Sequence, residues 1–248
     1  MAEREVWCRL PGREVTPGRQ VLPIASSYLD PSCSRRPTIS SDRAQSWAYS
    51  EDFIAEDDSL LGARRRAGEF GCGAVSVGAG AALRVLAAGA GAESVVEIGT
   101  GAGVSGLWLL GGMRSSGVLT TIDVETEYQH AARSAFAGAG VPSARTRLIS
   151  GRALDVLPRM ADAAYDLVFV DADPLEAPEY VEQALRMLRP GGVLAVAHAL
   201  GNDKVADPAR RDDLTVTMRD LGRGLREDER LVTALLPVGG GLLTSVKK

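Results

Sequence analysis

The segment "VVEIGTGAGVSG" (residues 95–106) decides the fold, because it joins an apolar strand to a helix through a turn that contains three glycines. Residues 94–98 are short, apolar and rich in β-branched side chains, which is typical of a buried parallel strand. Gly99, Gly101 and Gly103 lack a Cβ atom, so their backbone can turn tightly and approach a ligand closely, and the next helix offers unpaired amide groups. The segment therefore predicts a cofactor-binding loop.

Strand and helix patterns alternate from this loop onward, which predicts a parallel sheet with helices on both faces. The segment "RLVTALLPVGGGLLTSVKK" predicts two further strands around Pro237 and Gly239–Gly241, which form an antiparallel hairpin. We therefore predict an α/β fold, a Rossmann-like doubly wound sheet that is mostly parallel and ends in an antiparallel hairpin. The predicted parallel strands are Ser94–Ile98, Val118–Ile122, Arg145–Ile149, Leu167–Val170 and Val193–Ala197.

The N-terminal region divides into two parts. Residues 1–40 mix prolines, serines and arginines with isolated hydrophobic residues and lack periodicity, which predicts a disordered tail. Helical patterns begin at Ser41 and again over Leu60–Glu69, so residues 41–248 are predicted to form a single domain with N-terminal helices. Apolar residues near the first helix are interpreted mainly as core packing, with cover for a substrate pocket or a partner subunit as the alternatives. These residues are Trp47, Tyr49, Phe53 and Ile54.

Composition excludes several classes of partner. The chain has 28 Lys and Arg against 32 Asp and Glu, and the basic residues are scattered, so neither nucleic acid nor an anionic membrane is expected as a partner. The three cysteines have neither metal-ligand spacing nor the density of a disulfide scaffold, which indicates a reducing compartment. The most apolar stretch, Ala79–Ile98, is interrupted by Arg84 and Glu93, so no transmembrane helix is predicted. We expect a cytoplasmic protein.

Two acidic residues bear on the class of cofactor. Asp123 ends the second strand about 20 residues after the glycine turn, where a carboxylate can accept both ribose hydroxyls. Gly101, Gly103 and Gly106 satisfy the G-x-G-x-x-G pattern, so the glycines alone do not separate a nicotinamide cofactor from S-adenosylmethionine (SAM). Glu97 lies inside an apolar strand, where a carboxylate is costly without donors. Amides of the loop or the cofactor site could supply those donors.

Six segments together resemble the class I SAM-dependent methyltransferases, and within them the small catechol and caffeoyl-CoA O-methyltransferases. The resemblance covers Ser41–Lys248 and implies methyl transfer from SAM to a hydroxyl oxygen of a small, aromatic or polyketide-like acceptor, in a homodimer that uses the N-terminal helices. Two alternatives stay open: a catalytically silent SAM-binding sensor or assembly partner, and an NAD-dependent oxidoreductase, which Glu97 and the terminal hairpin oppose. The segments are "VVEIGTGAGVSGLWLL", "GVLTTIDVE", "SGRALDVLP", "YDLVFVDAD", "LRPGGVL" and the terminal hairpin.

The resemblance also implies roles for individual residues. Asp123 would bind the ribose hydroxyls, and Asp171 would face both the sulfonium and the acceptor. Val75 would close over the cofactor from the helical side. The adenine would be flanked by Val124 and by the backbone near Arg152 and Ala153. The methionine side would be lined by Glu97, Gly99, Thr100 and Ser105, with Gly101 and Gly103 completing the loop.

The segment "VFVDADPLEAPEY" (residues 168–180) raises the question of a metal. In the metal-dependent members, the Asp at the position of Asp171 binds a divalent cation together with an Asp-Asn pair, and a lysine assists. Here those partner positions hold Pro174, Ala197 and His198, which argues against a magnesium site. Three interpretations stay open: Asp171 and His198 bind a softer metal such as zinc or iron, one of them is a general base, or His198 is structural.

Overall fold

The computed structural model describes residues 41–248, and the predicted disordered tail over residues 1–40 lies outside the described residues. The described part contains a seven-stranded sheet with the order β3-β2-β1-β4-β5-β7-β6. Strands β1 to β5 run parallel, and β7 pairs antiparallel with both β5 and β6. This confirms the predicted fold class. The strands are β1 (Ser94–Ile98), β2 (Val118–Asp123), β3 (Thr146–Ser150), β4 (Tyr165–Val170), β5 (Leu188–Val196), β6 (Leu231–Leu236) and β7 (Leu242–Lys247).

Strand β5 is longer than the sequence predicts. It begins at Leu188, five residues before the predicted start at Val193, and runs through Pro190 and two glycines. The register with β4 shifts between Tyr165 and Leu167, so an irregularity absorbs the proline within the pairing. Because Pro-Gly-Gly is a turn signal in isolation, sequence reasoning began the strand too late.

Helices cover both faces of the sheet. Alternate side chains of β4 enter two separate hydrophobic clusters: Phe169 packs with Trp108 on one face, and Val168 packs with Met187 on the other. No helix within residues 41–248 is long and apolar enough to cross a membrane. The α-helices are α1 (Ser41–Glu51), α2 (Asp58–Phe70), α3 (Val77–Gly89), α4 (Val104–Gly112), α5 (Thr126–Gly138), α6 (Ala153–Val156), α7 (Ala177–Met187) and α8 (Asp213–Glu227).

The interpretation of the first aromatic residues as core packing is wrong. Trp47, Tyr49 and Phe53 are 50%, 70% and 66% exposed, Ile54 is 39% exposed, and α1 has no buried residue. The rings of Tyr49 and Phe53 contact each other edge to face at 5.9 Å, and the indole of Trp47 donates to the carbonyl of Pro237 at 2.8 Å. Helical spacing identifies an apolar face but not what covers it, and here this face is open to solvent.

Candidate active site

The glycine turn after β1 has the backbone that the sequence predicts. Gly99, Gly101 and Gly103 have φ angles of +95°, +49° and +92°, in the region that side chains with a Cβ rarely adopt. A Cβ at Gly103 would lie 3.0 Å from the Cα of Ala132 on α5, so this glycine also permits close helix packing. The turn is thus shaped both for a ligand and for the helix behind it.

A cavity of about 550 Å³ lies at the carboxyl ends of β1, β2 and β4. The chain moves from β1 to β2 in one direction and later to β4 in the other, and such a switch point is where open α/β sheets bind ligands. Nine of the predicted site residues line this cavity. They are Gly99, Thr100, Gly101, Ser105, Asp123, Val124, Ala153, Asp171 and His198.

The other four predicted residues lie around the cavity. Glu97 is completely buried in β1, and Gly103 is the N-cap residue of α4. The guanidinium of Arg152 pairs at 2.8 Å with Glu176, which itself lines the cavity. Val75 lines an adjacent cavity of about 200 Å³. These residues therefore support the walls of the main cavity.

Asp123 holds the glycine turn in place. Its Oδ2 accepts hydrogen bonds from the backbone amides of Thr100 at 2.9 Å and Gly101 at 3.0 Å, and its Oδ1 accepts from the amide of Glu125 at 2.9 Å. A carboxylate has about four lone-pair sites, so these three bonds leave acceptor capacity facing the cavity. The same side chain thus orders the turn and provides an acidic wall for a ligand.

Beneath the turn, a buried chain of hydrogen bonds leads to Glu97. Thr121 donates to Oε2 of Glu97 at 2.7 Å, and its hydroxyl lies 2.7 Å from that of Thr100. Because Thr121 has one proton and gives it to Glu97, Thr100 donates to Thr121. Thr100 in turn accepts from Nε2 of Gln129 at 3.0 Å. Sequence reasoning missed Thr121 and Gln129, although a carboxylate in an apolar strand is itself a signal that donors lie nearby.

One oxygen of Glu97 has no partner. Within residues 41–248, Oε1 of Glu97 and Oε1 of Gln129 are buried without a hydrogen bond. Burial raises the pKa of Glu97 to about 8, and the hydrogen bond from Thr121 opposes that rise. Near neutral pH the carboxyl group is therefore largely protonated unless a positive charge approaches it.

The structure brings Asp171 and His198 together at the cavity. Nε2 of His198 lies 3.1 Å from Oδ1 of Asp171, whose side chain is 15% exposed. The side chain of His198 is 55% exposed. The hydrogen bond to Asp171 raises the pKa of His198, while partial desolvation opposes the rise. The partner of this histidine is thus a cavity residue at the end of the neighbouring strand.

The donor set at this position does not fit magnesium. Mg²⁺ prefers oxygen ligands in near-octahedral geometry, whereas this site offers one carboxylate and one imidazole. Pro174 and Ala197 carry no side-chain donor. In the described part of the chain, no group of three or more His, Cys, Asp or Glu side chains is arranged to hold a metal ion. The residues present at this position therefore do not fit a resident magnesium ion.

Several lining residues were missed by sequence reasoning. Cys72, Gly73 and Ala74 come from the turn before α3, and Tyr128 comes from α5. Tyr180 of α7 also lines the cavity, and burial raises the pKa of its hydroxyl. Cys72, Gly73, Ala74 and Tyr128 lie in segments without a motif, and Tyr180 lies nine residues beyond Asp171, so the folded topology brings them to the same end of the sheet.

The sheet order, the terminal hairpin and the glycine turn with its acid define a Rossmann-like methyltransferase. Residues 63–248 match the family model described as O-methyltransferase. The chain belongs to the O-methyltransferase family, and it is an enzyme that transfers a methyl group to an oxygen atom. The oxidoreductase alternative is thereby wrong.

Individual relatives agree with this family. A Mycobacterium tuberculosis protein named as an O-methyltransferase is 54% identical over 201 residues, which are 81% of this chain and 90% of that protein. The O-methyltransferase TomG from Streptomyces achromogenes, involved in tomaymycin synthesis and solved with SAM, is 32% identical with a TM-score of 0.73, covering 82% of this chain and 98% of that one. A Bacillus cereus O-methyltransferase solved with SAH is 27% identical with a TM-score of 0.73, covering 82% and 99%.

Proposed function

We propose that this enzyme transfers the methyl group of SAM to a hydroxyl of a small aromatic acceptor, with His198 as the general base. The observation that carries the proposal is the 3.1 Å contact between His198 and Asp171 at the edge of the main cavity. This contact supports the proposal because an imidazole stands where the metal-dependent members of the similar family have oxygen ligands.

SAM occupies the main cavity in this proposal. Asp123 accepts from one ribose hydroxyl with its remaining lone pair, and Val124 and Ala153 flank the adenine. The methionine part lies along the glycine turn, at Gly99, Thr100, Gly101 and Ser105. Glu97 and Gly103 support the turn from behind, and Val75 and Arg152 lie beside the cofactor cavity. The SAM and SAH found in TomG and in the Bacillus cereus enzyme support this choice of cofactor.

Asp171 selects which nitrogen of His198 acts as the base. Because Asp171 accepts from Nε2, the neutral imidazole carries its proton on Nε2 and has its lone pair on Nδ1. The acceptor hydroxyl gives its proton to Nδ1 while an oxygen lone pair forms the bond to the methyl carbon. The bond from that carbon to sulfur breaks, and its electron pair stays on sulfur. The exposed imidazolium then releases the proton to solvent.

The smaller cavity provides the acceptor site. His198 and Ala74 line both cavities, so this space of about 200 Å³ lies beside the cofactor cavity. Its walls are the small apolar side chains of Val75, Ala79 and Ala197 together with the glycine turn at residues 239–241. Such walls favour one flat ring over a bulky or highly charged acceptor.

The test measures methyl transfer on a panel of catechols and phenols by mass spectrometry, together with SAM binding by calorimetry. We expect turnover of at least one single-ring phenol, unchanged by EDTA. SAM binding without turnover of any phenol would contradict the acceptor class. An EDTA inhibition that magnesium specifically reverses would contradict the metal-free base.

A homodimer is part of the proposal. The family resemblance and the exposed apolar residues of α1, Trp47, Tyr49 and Phe53, support it. Light scattering should give twice the monomer mass, and charged replacements at Tyr49 and Phe53 should return a monomer. The scattered cysteines and basic residues support a cytoplasmic location and a small-molecule partner instead of a nucleic acid. Cell fractionation tests the location.

A further inference from the structure

Glu51, the last residue of α1, joins two distant backbone segments. Its Oε2 accepts from the amide of Gly78 at 3.2 Å, in the first turn of α3. Its Oε1 accepts from the amide of Gly239 at 2.5 Å, in the turn between β6 and β7. This carboxylate and the bond from Trp47 to Pro237 both anchor α1, which buries no residue, to the rest of the fold.

The turn that Glu51 holds is itself bonded to the segment of His198. The carbonyl of Gly240 accepts from the amide of Leu200 at 2.9 Å, and the carbonyl of Gly241 accepts from the amide of Ala199 at 3.0 Å. These donors are the two residues that follow His198. A Cβ at Gly240 would lie 3.2 Å from Nδ1 of the imidazole, so the turn packs directly against the ring.

His198 needs such support because its backbone is unfavourable. Its φ angle is +57°, in the left-handed region that costs a non-glycine residue free energy and persists only where the surroundings impose it. The hydrogen bonds of the turn supply that constraint. If the turn moves, the backbone at His198 is free to relax, and the imidazole leaves Asp171.

We infer that Glu51 is a positioning residue for the catalytic histidine: it fixes the turn at residues 239–241, which fixes His198 against Asp171. The geometric part stands on the contacts above, and the consequence for turnover rests on the proposed function. Glu51 lies outside the lining of the main cavity, so SAM affinity should not depend on it.

The pKa of His198, measured by NMR, tests the geometric part directly. The sequence contains two histidines, so a His130→Gln spectrum assigns both signals. The amide of Glu51→Gln has one acceptor oxygen and cannot hold both backbone amides. Asp171 raises the pKa of His198, so Glu51→Gln should lower it towards the ordinary value and leave His130 unchanged. The matched control is Asp52→Asn, which removes an exposed neighbouring carboxylate and should change neither.

Kinetics add a second readout. Glu51→Gln should lower kcat/KM for the acceptor by about tenfold, with SAM affinity within twofold of wild type. If Glu51→Gln does not fold, Glu51→Asp keeps the charge on a shorter side chain and should show the same shifts to a smaller degree. A folded Glu51 variant in which His198 titrates as in wild type would overturn the inference. If instead the NMR shift appears but His198→Gln retains full turnover, the proposed base is wrong and the positioning role stands.

Discussion

Gly99 passes so close to Asp171 that a Cβ at residue 99 would lie 2.0 Å from the backbone oxygen of Asp171. The amide of Asp171 in turn donates to the carbonyl of Ile98 at 2.8 Å. The glycine turn and Asp171, the hydrogen-bond partner of His198, are therefore parts of one backbone arrangement. A change at Gly99 should therefore affect both SAM binding and the position of Asp171.

Gly99→Ala tests this coupling. The new methyl group would collide with backbone and would also force a side chain into a φ of +95°, so we expect a loss of about 2 kcal/mol or more in stability and of measurable SAM binding. Thermal unfolding and calorimetry measure the two effects. Gly62→Ala is the control, because a Cβ at this position in α2 meets nothing within 4 Å, and it should be neutral or stabilising.

Glu97 should make stability depend on pH. Its pKa of about 8 in the folded protein lies above the ordinary value of 4.5 for a glutamate, so the folded state binds more protons in this range. The contribution of the neutral carboxyl is fully present below about pH 4.5 and is lost as the pH rises towards 8. Glu97→Gln removes the titrating group, so its unfolding free energy should fall less than that of wild type between pH 5 and pH 8. Urea unfolding at several pH values gives the unfolding free energy of each protein as a function of pH. If wild type and Glu97→Gln show the same pH dependence, the raised pKa of Glu97 is refuted.

Thr121 should contribute more to stability than its neighbour in β2. Thr121→Val leaves Oε2 of Glu97 without its donor and the hydroxyl proton of Thr100 without its acceptor, at a cost of about 1–3 kcal/mol. Thr120→Val is the matched control, since Thr120 is also buried in β2 but lies outside the hydrogen-bond chain to Glu97. If the two variants lose the same unfolding free energy in denaturant, the hydrogen bonds of Thr121 do not contribute more to stability than the burial of Thr120 does.

His198→Gln should lower kcat by about a hundredfold or more and leave SAM affinity nearly unchanged, because in the proposed mechanism this side chain takes the acceptor proton. His130→Gln, which changes an exposed histidine on α5, should have wild-type kinetics. The base acts in its neutral form, so wild-type kcat/KM should fall as the pH drops through the pKa of His198, which Asp171 raises. Asp171→Asn should move this limb to lower pH. If the acidic limb of the kcat/KM profile does not move in Asp171→Asn, Asp171 does not control the proton of the catalytic base.

The sequence predicts those parts of the enzyme that local patterns encode. The turn at Gly99 and the acid at Asp123 are recognisable because tight dihedrals demand glycine and because the acid follows at a characteristic distance. For Asp171 and His198 the sequence left three interpretations open, and in only one of them do the two side chains act together. Their direct contact required the register of β4 beside β5.

Other features could not be predicted because they depend on distant backbone. Glu51 acts on amides 27 and 188 residues away, and any acidic residue at a helix end would have the same appearance in the sequence. Trp47 is a residue whose spacing in the sequence indicates an apolar helix face. Only the folded chain shows that this face is exposed and not part of the core. The start of β5 could not be predicted because Pro190 is a turn signal in isolation. The strand accommodates it through an irregular pairing with β4 near Tyr165.

The place of β7 between β5 and β6 has a consequence for biosynthesis. The ribosome releases β6 before β7, so β6 has no neighbour to pair with until the later strand has inserted. The five parallel strands can assemble around the cofactor turn while this insertion is still pending. The turn at residues 239–241, which contacts the segment of His198, is formed by the same event, so we expect the glycine turn after β1 to form earlier than the surroundings of His198.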